Sequence, residues 1–350
     1  MKKMPRILTV NPGSTTTKLG YFQGTEAVEI QQIDHLKNPL WNSMTENEQF
    51  EERLRATEKF IAGKSLDLVM ARGGILKPLS SGVYIINDKM LEDLKNAPMK
   101  HASNLAAPIA KIIADKRHIP GYIADPVTVD ELQEIARYSG HPFFPRKSIF
   151  HALNQKAVAR KYAETISKKY EDLNLIVIHM GGGISIGAHR HGLVIDVNQA
   201  LDGEGPFSPE RSGTLPAGDL VRAAFSGKFS ENEMLKMITG NGGLKAYLGT
   251  ADVKRLLENK DKETMKIIDA MIYQIAKYAG EMAVVLQGKI DAVIFTGGLA
   301  HAGYIIRQLT GYLSFLNSDF AVFPGENELE ALAFNGLLAW KGKIKTKKYR

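Results

Sequence analysis

The chain has 350 residues, 44% apolar and 24% charged, the balance of a soluble globular protein long enough for two cored domains. Its 45 Lys and Arg against 38 Asp and Glu leave a formal charge of +7, a modest positive field suited to anionic substrates. There is no cysteine, which excludes disulfides, cysteine-zinc sites, iron–sulfur clusters and thiol nucleophiles. No run approaches the roughly 18 apolar residues of a membrane span, and MKKMPRILTV lacks the apolar core and cleavage site of a signal peptide; a cytoplasmic protein is expected.

Strands are predicted at ILTV, KLGYF and AVEIQQI, followed by a helix at ENEQFEERLRATEKFIAG and a strand at LDLVMA. Next come a helix at SNLAAPIAKIIADK, a strand at GYIA and a helix at HALNQKAVARKYAETISKKY. Three more strands, LNLIVIHM, ISIGAH and GLVIDV, precede the long helix KETMKIIDAMIYQIAKYAGEMAVVLQG, whose apolar residues recur at 3–4 spacing from Met265 to Leu286. Strands DAVIFT and FAVF and a last helix, NELEALAFNGLLAW, complete an α/β chain. The tail KGKIKTKKYR, six of whose ten residues are basic, reads as a solvated, frayed terminus. Nucleic-acid binding would need a basic stripe with interleaved aromatics, and none is present.

The first strand pair has a counterpart. RILTV-NPGSTT-TKLGYF and LNLIVI-HMGGG-ISIGAH are both an apolar strand, a polar residue, a Gly-rich turn and a second strand. Asn11 and His179 hold equivalent places, 168 residues apart. AVEIQQI follows the first pair as GLVIDV follows the second, so a duplicated β-meander opens each half. The switch between halves is placed near residues 120–150, around GYIADPVTVDE, and the last helix is expected to pack back on the first half.

Several motifs fail on context. GISIG, 183–187, matches a G-x-S-x-G nucleophile elbow, but Ser185 lies within a strand that leads to another strand. GKS, 63–65, has Glu58 where a P-loop needs glycine, and it follows a helix. No G-x-G-x-x-G occurs. His189 and His191, in HRH, have no third metal ligand nearby and read as the exposed face of a strand.

Three Gly-rich turns remain at strand ends: NPGSTT, HMGGG and FTGGLA. Taken singly, each is an ordinary hairpin or an anion cradle. Glycine lets backbone N–H groups approach phosphate oxygens, and hydroxyls add donors; three such turns, two in matching halves, favour a polyphosphate.

The arrangement resembles the acetate and sugar kinase, Hsp70 and actin superfamily, and in detail the butyrate-kinase branch of the acetokinase family. NPGSTTTK is similar to its adjacent-phosphate motif, HMGGG to its second phosphate motif and FTGGLA to its adenosine motif. ARGG (71–74), ADPVTVDEL (124–132), IFHALNQKAVA (149–159), PERSG (209–213) and LKAYLGTADV (244–253) extend the resemblance over nearly the whole chain. It implies two duplicated ribonuclease-H-like (actin-like ATPase) domains, each a mixed sheet flanked by helices, with a nucleotide cleft between them. The N-terminal domain would be 1–125 with 330–350, and the C-terminal domain, carrying the nucleotide motifs, 126–329.

The implied activity is reversible, Mg²⁺-dependent phosphoryl transfer from ATP to a short-chain carboxylate, butyrate first and acetate, propionate or a branched acid as alternatives, by a homodimer or larger homo-oligomer. A rival from another class is a non-metabolic ATPase of the actin or Hsp70 type, though no spare peptide-binding or polymer-contact segment is visible. The resemblance makes Arg211, Asp125 and His151 catalytic. It puts Asn11, Ser14, Thr16, His179, Gly181, Gly182 and Gly183 on the phosphates, and Gly297 and Gly298 at the nucleotide. Asp125 and Glu328 would serve Mg²⁺. Locally, Asp125 also reads as a turn former before Pro126, His151 as a helix N-terminal residue, and Glu328 as an exposed helical glutamate. Arg72 directly precedes Gly73, whereas the family's substrate arginine lies a few residues before its glycine pair; either it substitutes for that arginine or it is merely adjacent.

Overall fold

The computed structural model describes residues 4–97, 101–259 and 261–350. In chain order its strands are β1 (Arg6–Pro12), β2 (Thr16–Gln23), β3 (Glu26–Asp34), β4 (Leu68–Arg72), β5 (Val83–Ile85), β6 (Gly121–Ala124), β7 (Asn174–Met180), β8 (Ile184–Arg190), β9 (Leu193–Val197), β10 (Ala292–Gly297), β11 (Asp319–Pro324) and β12 (Lys347–Lys348). The helices are α1 (Glu46–Phe60), α2 (Asp88–Lys95), α3 (Ala106–Arg117), α4 (Ala152–Thr165), α5 (Ala217–Ala224), α6 (Glu231–Thr239), α7 (Gly243–Leu248), α8 (Val253–Asn259), α9 (Lys262–Val285), α10 (Gly303–Leu313) and α11 (Glu328–Trp340). Two units result, Met1–Val129 with Asn327–Arg350, and Asp130–Glu326.

The units repeat one topology. The first has the strand order β12-β5-β6-β4-β1-β2-β3 and the second β11-β10-β7-β8-β9. In each, a three-stranded antiparallel meander (β1-β2-β3, β7-β8-β9) is extended from its first strand by two parallel strands (β4 and β6, β10 and β11). Asn11 pairs with Lys18 and His179 with Ser185, in each case one pair from the turn, as the duplication predicts. Both meanders shift register between their second and third strands, at Tyr21/Phe22 and Ala188/His189.

Alternation along the parallel strands serves both faces of each sheet. On β7 and β10, Ile176, Ile178, Val293 and Phe295 join the core under α9 and α10, while Leu175, Val177, Ala292 and Ile294 join Val158, Ala159 and Tyr162 of α4. On β1 and β4, Leu8, Val10, Val69 and Ala71 face Ile109, Ala110 and Ile113 of α3. The last helix packs on β1 and β4, and a Cβ at Gly336 would come within 2.9 Å of Met70 and 3.0 Å of Leu68. In α9 the stripe Ile268, Met271, Ile272, Ile275, Ala279 and Met282 is buried at helical spacing, and Asp261 caps it by accepting from the Thr264 N–H at 3.0 Å. Among the described residues no helix is long and apolar enough to cross a membrane.

The basic tail corrects one expectation. It is not frayed: Lys347 and Lys348 pair in parallel with Tyr84 and Ile85. Lys347 Nζ donates to Ser80 Oγ at 2.7 Å and to the Ser81 carbonyl at 2.6 Å. The Tyr349 hydroxyl donates to Asp93 Oδ2 at 2.8 Å and accepts from the Lys77 N–H at 3.2 Å, and its side chain lies in the first core. Charge composition concealed this, because one buried tyrosine, one strand register and the bonded ammonium of Lys347 outweigh the solvated charges around them. Tyr349→Ala should destabilise the first unit by about 3–5 kcal/mol, read by urea denaturation; a change within about 0.5 kcal/mol would restore the frayed reading.

Candidate functional site

Three parallel strands of the first unit end in polar residues. Arg72 closes β4, Asn11 is the penultimate residue of β1, and Asp125 follows β6 directly. Carboxyl ends of adjacent parallel strands are where α/β sheets bind ligands. Glu328, in the first turn of α11, reaches the same place. Arg72 Nη1 donates to Glu328 Oε2 at 3.0 Å and to Asn11 Oδ1 at 3.3 Å, and lies 2.9 Å from Glu328 Oε1. Asn11 Nδ2 also donates to Glu328. Glu328, 11% exposed at its side chain, is thus not the exposed helical glutamate of the local reading. All of Arg72's contacts use Nη1; among the described residues its Nε and Nη2 have no hydrogen-bonded protein partner.

Asp125 is 1% exposed. Its Oδ1 accepts from Ser81 Oγ at 2.6 Å and from the Gly82 N–H at 2.8 Å. Its backbone is left-handed, with φ 39°, a costly conformation for an aspartate ahead of a proline. Gly73 makes room for the following residue: a Cβ there would fall 2.3 Å from Pro126.

The NPGSTT turn is held from behind by a residue the sequence reading passed over. Arg53 is 0% exposed. Its Nη1 donates to the Thr16 carbonyl at 2.7 Å and to Thr17 Oγ1 at 2.6 Å, and its Nη2 to the carbonyls of Gly13 at 2.7 Å and Ser14 at 3.2 Å. The guanidinium lies 4.9 Å from the Trp41 ring. Burial pulls its pKa down to about 10, so it remains charged. Interleaved charges in EERLRATEK disguised it; the available signal was that Arg53 sits with Leu54, Thr57 and Phe60 on the buried face of α1.

His35 completes this support. Its Nε2 lies 2.8 Å from Thr17 Oγ1 and its ring stacks on Trp41 at 4.2 Å. Arg53 can only donate to Thr17, and among the described residues His35 Nε2 is the acceptor within reach of the Thr17 hydroxyl hydrogen, so that nitrogen takes the lone-pair role.

In the second unit, His179 ends β7 as Asn11 ends β1. Its Nδ1 is 2.8 Å from Asn154 Oδ1, and its ring stacks on His151 with centroids 3.8 Å apart. Asn154 Nδ2 donates to the Glu326 carbonyl at 2.7 Å. His151 is both the residue preceding α4 and part of this pair. In HMGGG, Gly183 is required by Arg211: a Cβ would lie 2.1 Å from Arg211 Nη1. Ser208, also unflagged by sequence, joins the loops by donating to the Gly182 carbonyl at 2.6 Å while accepting from the Arg211 N–H at 3.0 Å. Arg211 Nη1 donates to the Ala200 carbonyl. Burial lowers the pKa of this guanidinium, against the pull of Glu210 and Asp202.

Gly297, with φ 86°, has a fold reason of its own, since a Cβ would lie 2.3 Å from the Met180 carbonyl; Gly298 is exposed. Ser14 is exposed and Thr16 half-buried at the other turn. The reading of His189 needs correction. It is 0% exposed, bonded to Tyr170 and Gln155, because β8 is covered on both faces: its unbroken register with β7 sets His189 opposite Leu175, on the side that packs against α4. His191 lies in the exposed turn.

Two sheets of one topology, with polar residues at the carboxyl ends of their parallel strands, define the fold of the acetate and sugar kinase, Hsp70 and actin superfamily. The solved structures agree: an acetate kinase from Porphyromonas gingivalis superposes with a TM-score of 0.76 at 17% identity, covering 96% of this chain and 100% of that one. A propionate kinase from Francisella tularensis gives 0.75 at 19% identity, covering 95% and 99%. The Acetokinase family model matches residues 135–318. Butyrate kinase 2 of Clostridium acetobutylicum is 48% identical over 99% of both chains, and a probable butyrate kinase of Clostridium botulinum is 46% identical over 98% of this chain and 99% of its own. The chain belongs to the acetokinase family.

Burial lowers the His35 pKa to about 4, with Arg53 adding to the effect. The unfolded chain, near 6.5, therefore binds the extra proton first, and stability falls as pH drops from about 6.5 towards 4. The loss attributable to His35 should approach about 3 kcal/mol. His35→Gln should remove that part of the pH slope in urea titrations; parallel slopes for both proteins would refute the neutral assignment.

Proposed function

We propose that the protein is a short-chain carboxylate kinase transferring the γ-phosphoryl group of ATP reversibly to butyrate, giving butanoyl phosphate and ADP. One observation carries the reading: identity of 46–48% to proteins named butyrate kinase extends over 98–99% of the chain. A carboxylate with a pKa near 4–5 is already ionised at neutral pH, so the nucleophile needs no general base. A carboxylate oxygen attacks the γ-phosphorus as the bond to the β,γ-bridging oxygen breaks, and the leaving electrons stay on ADP. The obstacle is repulsion between two anions. Catalysis is then positioning plus positive charge.

Roles follow from that demand. Arg211 neutralises the equatorial oxygens of the moving phosphoryl group, and its bond to the Ala200 carbonyl and its seat against Gly183 support a fixed orientation. His151 and His179 contribute hydrogen-bond donors, and the backbone of Gly181, Gly182 and Gly183 holds phosphate. Asn11, Ser14 and Thr16 serve the same purpose on the first turn, with Gly297 shaping and Gly298 contacting the nucleotide end. Arg72, whose Nε and Nη2 have no hydrogen-bonded partner among the described residues, meets the substrate carboxylate.

Mg²⁺ belongs to this reading and would supply charge neutralisation on the phosphates. Among the described residues no three His or acidic groups cluster to hold a metal. Asp125 and Glu328 are carboxylate donors of the kind Mg²⁺ uses, one or two beside phosphate and several waters. Asp125, at the carboxyl end of β6, would be one donor. The oxygens of Glu328 already serve Arg72 and Asn11, so Glu328 would act through water. A homodimer or larger homo-oligomer in the cytoplasm completes the proposal, and light scattering reads the assembly directly.

A hydroxamate assay across C2 to C6 acids with ATP and Mg²⁺ should peak near four carbons. A kcat/KM maximum at acetate would remove butyrate and leave the acid-kinase class standing; one methylene contributes only about 1–3 kcal/mol of discrimination. Arg211→Ala should lower kcat by roughly 10³–10⁵, with ATP affinity nearly unchanged because the contact strengthens as charge develops. Arg211→Lys should recover part of the rate, since an ammonium lacks the planar fork. Retention of more than about a tenth of kcat in Arg211→Ala, well short of that loss, would show that Arg211 is not the catalytic arginine.

A further inference from the structure

Behind His151 runs a line of buried polar groups that no step above uses. His151 Nδ1 is 2.9 Å from Ser185 Oγ. Gln155 Nε2 is 2.8 Å from the same Oγ and 3.0 Å from the Ser185 carbonyl. Gln155 Oε1 is 2.9 Å from His189 Nε2, and His189 Nδ1 is 2.7 Å from the Tyr170 hydroxyl. Ser185, Gln155 and His189 are each 0% exposed.

Every hydrogen in this line has one consistent place. The Ser185 carbonyl can only accept, so the group facing it is the Gln155 NH₂. Gln155 Oε1 is then an acceptor, and His189 must donate from Nε2. His189 is neutral, because burial and the neighbouring Lys156 and Arg160 hold its pKa well below 6.5. Its Nδ1 therefore accepts from Tyr170. At the other end Ser185 Oγ accepts from Gln155. Among the described residues the remaining acceptor for the Ser185 hydroxyl hydrogen is His151 Nδ1. Were Nδ1 to carry a proton itself, a buried hydroxyl would lose its acceptor, which is costly.

We propose that Gln155, acting through Ser185, is a positioning residue that fixes His151 as the neutral tautomer with its proton on Nε2, so that it presents a hydrogen-bond donor to the reacting phosphoryl group. His179 carries a proton on Nδ1, so it donates to phosphate from Nε2 only as the imidazolium. Asn154 Nδ2 donates to Glu326, so Asn154 Oδ1 accepts and His179 Nδ1 is the donor. Rings stacked at 3.8 Å repel if both are charged, and the Ser185 bond keeps the His151 member neutral. The catalytic part of this inference rests on the kinase reading; the tautomer does not.

Gln155→Glu is the discriminating variant. Its shape is nearly unchanged, but an ionised carboxylate cannot donate to Ser185. The Ser185 hydroxyl would turn to it, and His151 would have to donate from Nδ1. Ser185→Ala removes the link with a smaller change and serves if the first variant folds poorly, which thermal melting reports. The ¹⁵N resonances of histidine-labelled protein, with His151 identified by its loss in His151→Asn, read the tautomer directly. The wild type should show the lone pair at Nδ1 and the proton at Nε2, and both variants should move towards the reverse. Their kcat should fall roughly 10- to 100-fold with the KM for ATP little changed. A protonated Nδ1 in the wild type, or an unaltered tautomer in both variants, overturns the proposal. If the resonances behave as expected and His151→Asn is fully active, the tautomer stands and the catalytic role of His151 falls.

Discussion

A buried guanidinium must find an oxygen for its N–H groups, and much of the local order in this protein follows from that requirement. Arg53 meets it at Nη1 and Nη2 with the carbonyls of Gly13, Ser14 and Thr16 and the Thr17 hydroxyl, while its buried Nε has no hydrogen-bond partner among the described residues. A turn of small residues would otherwise be soft. With its carbonyls drawn to one cation, its remaining groups have a defined direction. The second unit solves the same problem differently. Arg211 is tied to Ala200 and wedged against Gly183, and Ser208 stitches its loop to HMGGG. Arg146 gives a third case, bonding Glu204, Asp196 and the carbonyls of Ala136 and Val197 in one span.

The regular elements were legible because their signals are local and redundant. Strand alternation, helical spacing in α9 and the repeated strand–turn–strand pattern each point the same way. The glycine turns were legible for a related reason, since several small and hydroxyl residues at a strand end have few alternative uses. What escaped was long-range. Arg53 is 37 residues from Thr16, Tyr349 is 256 from Asp93, and Arg72 is 256 from Glu328. Nothing near those positions in the chain announces the partner. His189 shows the same limit at shorter range. Whether that face of β8 meets solvent or core depended on α4, whose Gln155 lies 34 residues from His189 and bonds it.

Chain duplication set the frame, and divergence within it separated the chemistry. The residue one pair from the turn is Asn11 in the first unit and His179 in the second, at matching register. Asn11 enters an ionic cluster with Arg72 and Glu328. His179 enters a stack with His151, each ring held at Nδ1 by a neutral partner. The first arrangement concentrates fixed charge, and the second supplies polarised but adjustable donors. On the proposed kinase reading each has a use, because fixed charge lowers the repulsion between two anions while donors can strengthen as charge moves. Conserving the scaffold while changing one residue at each turn is a direct way for a repeated fold to provide them.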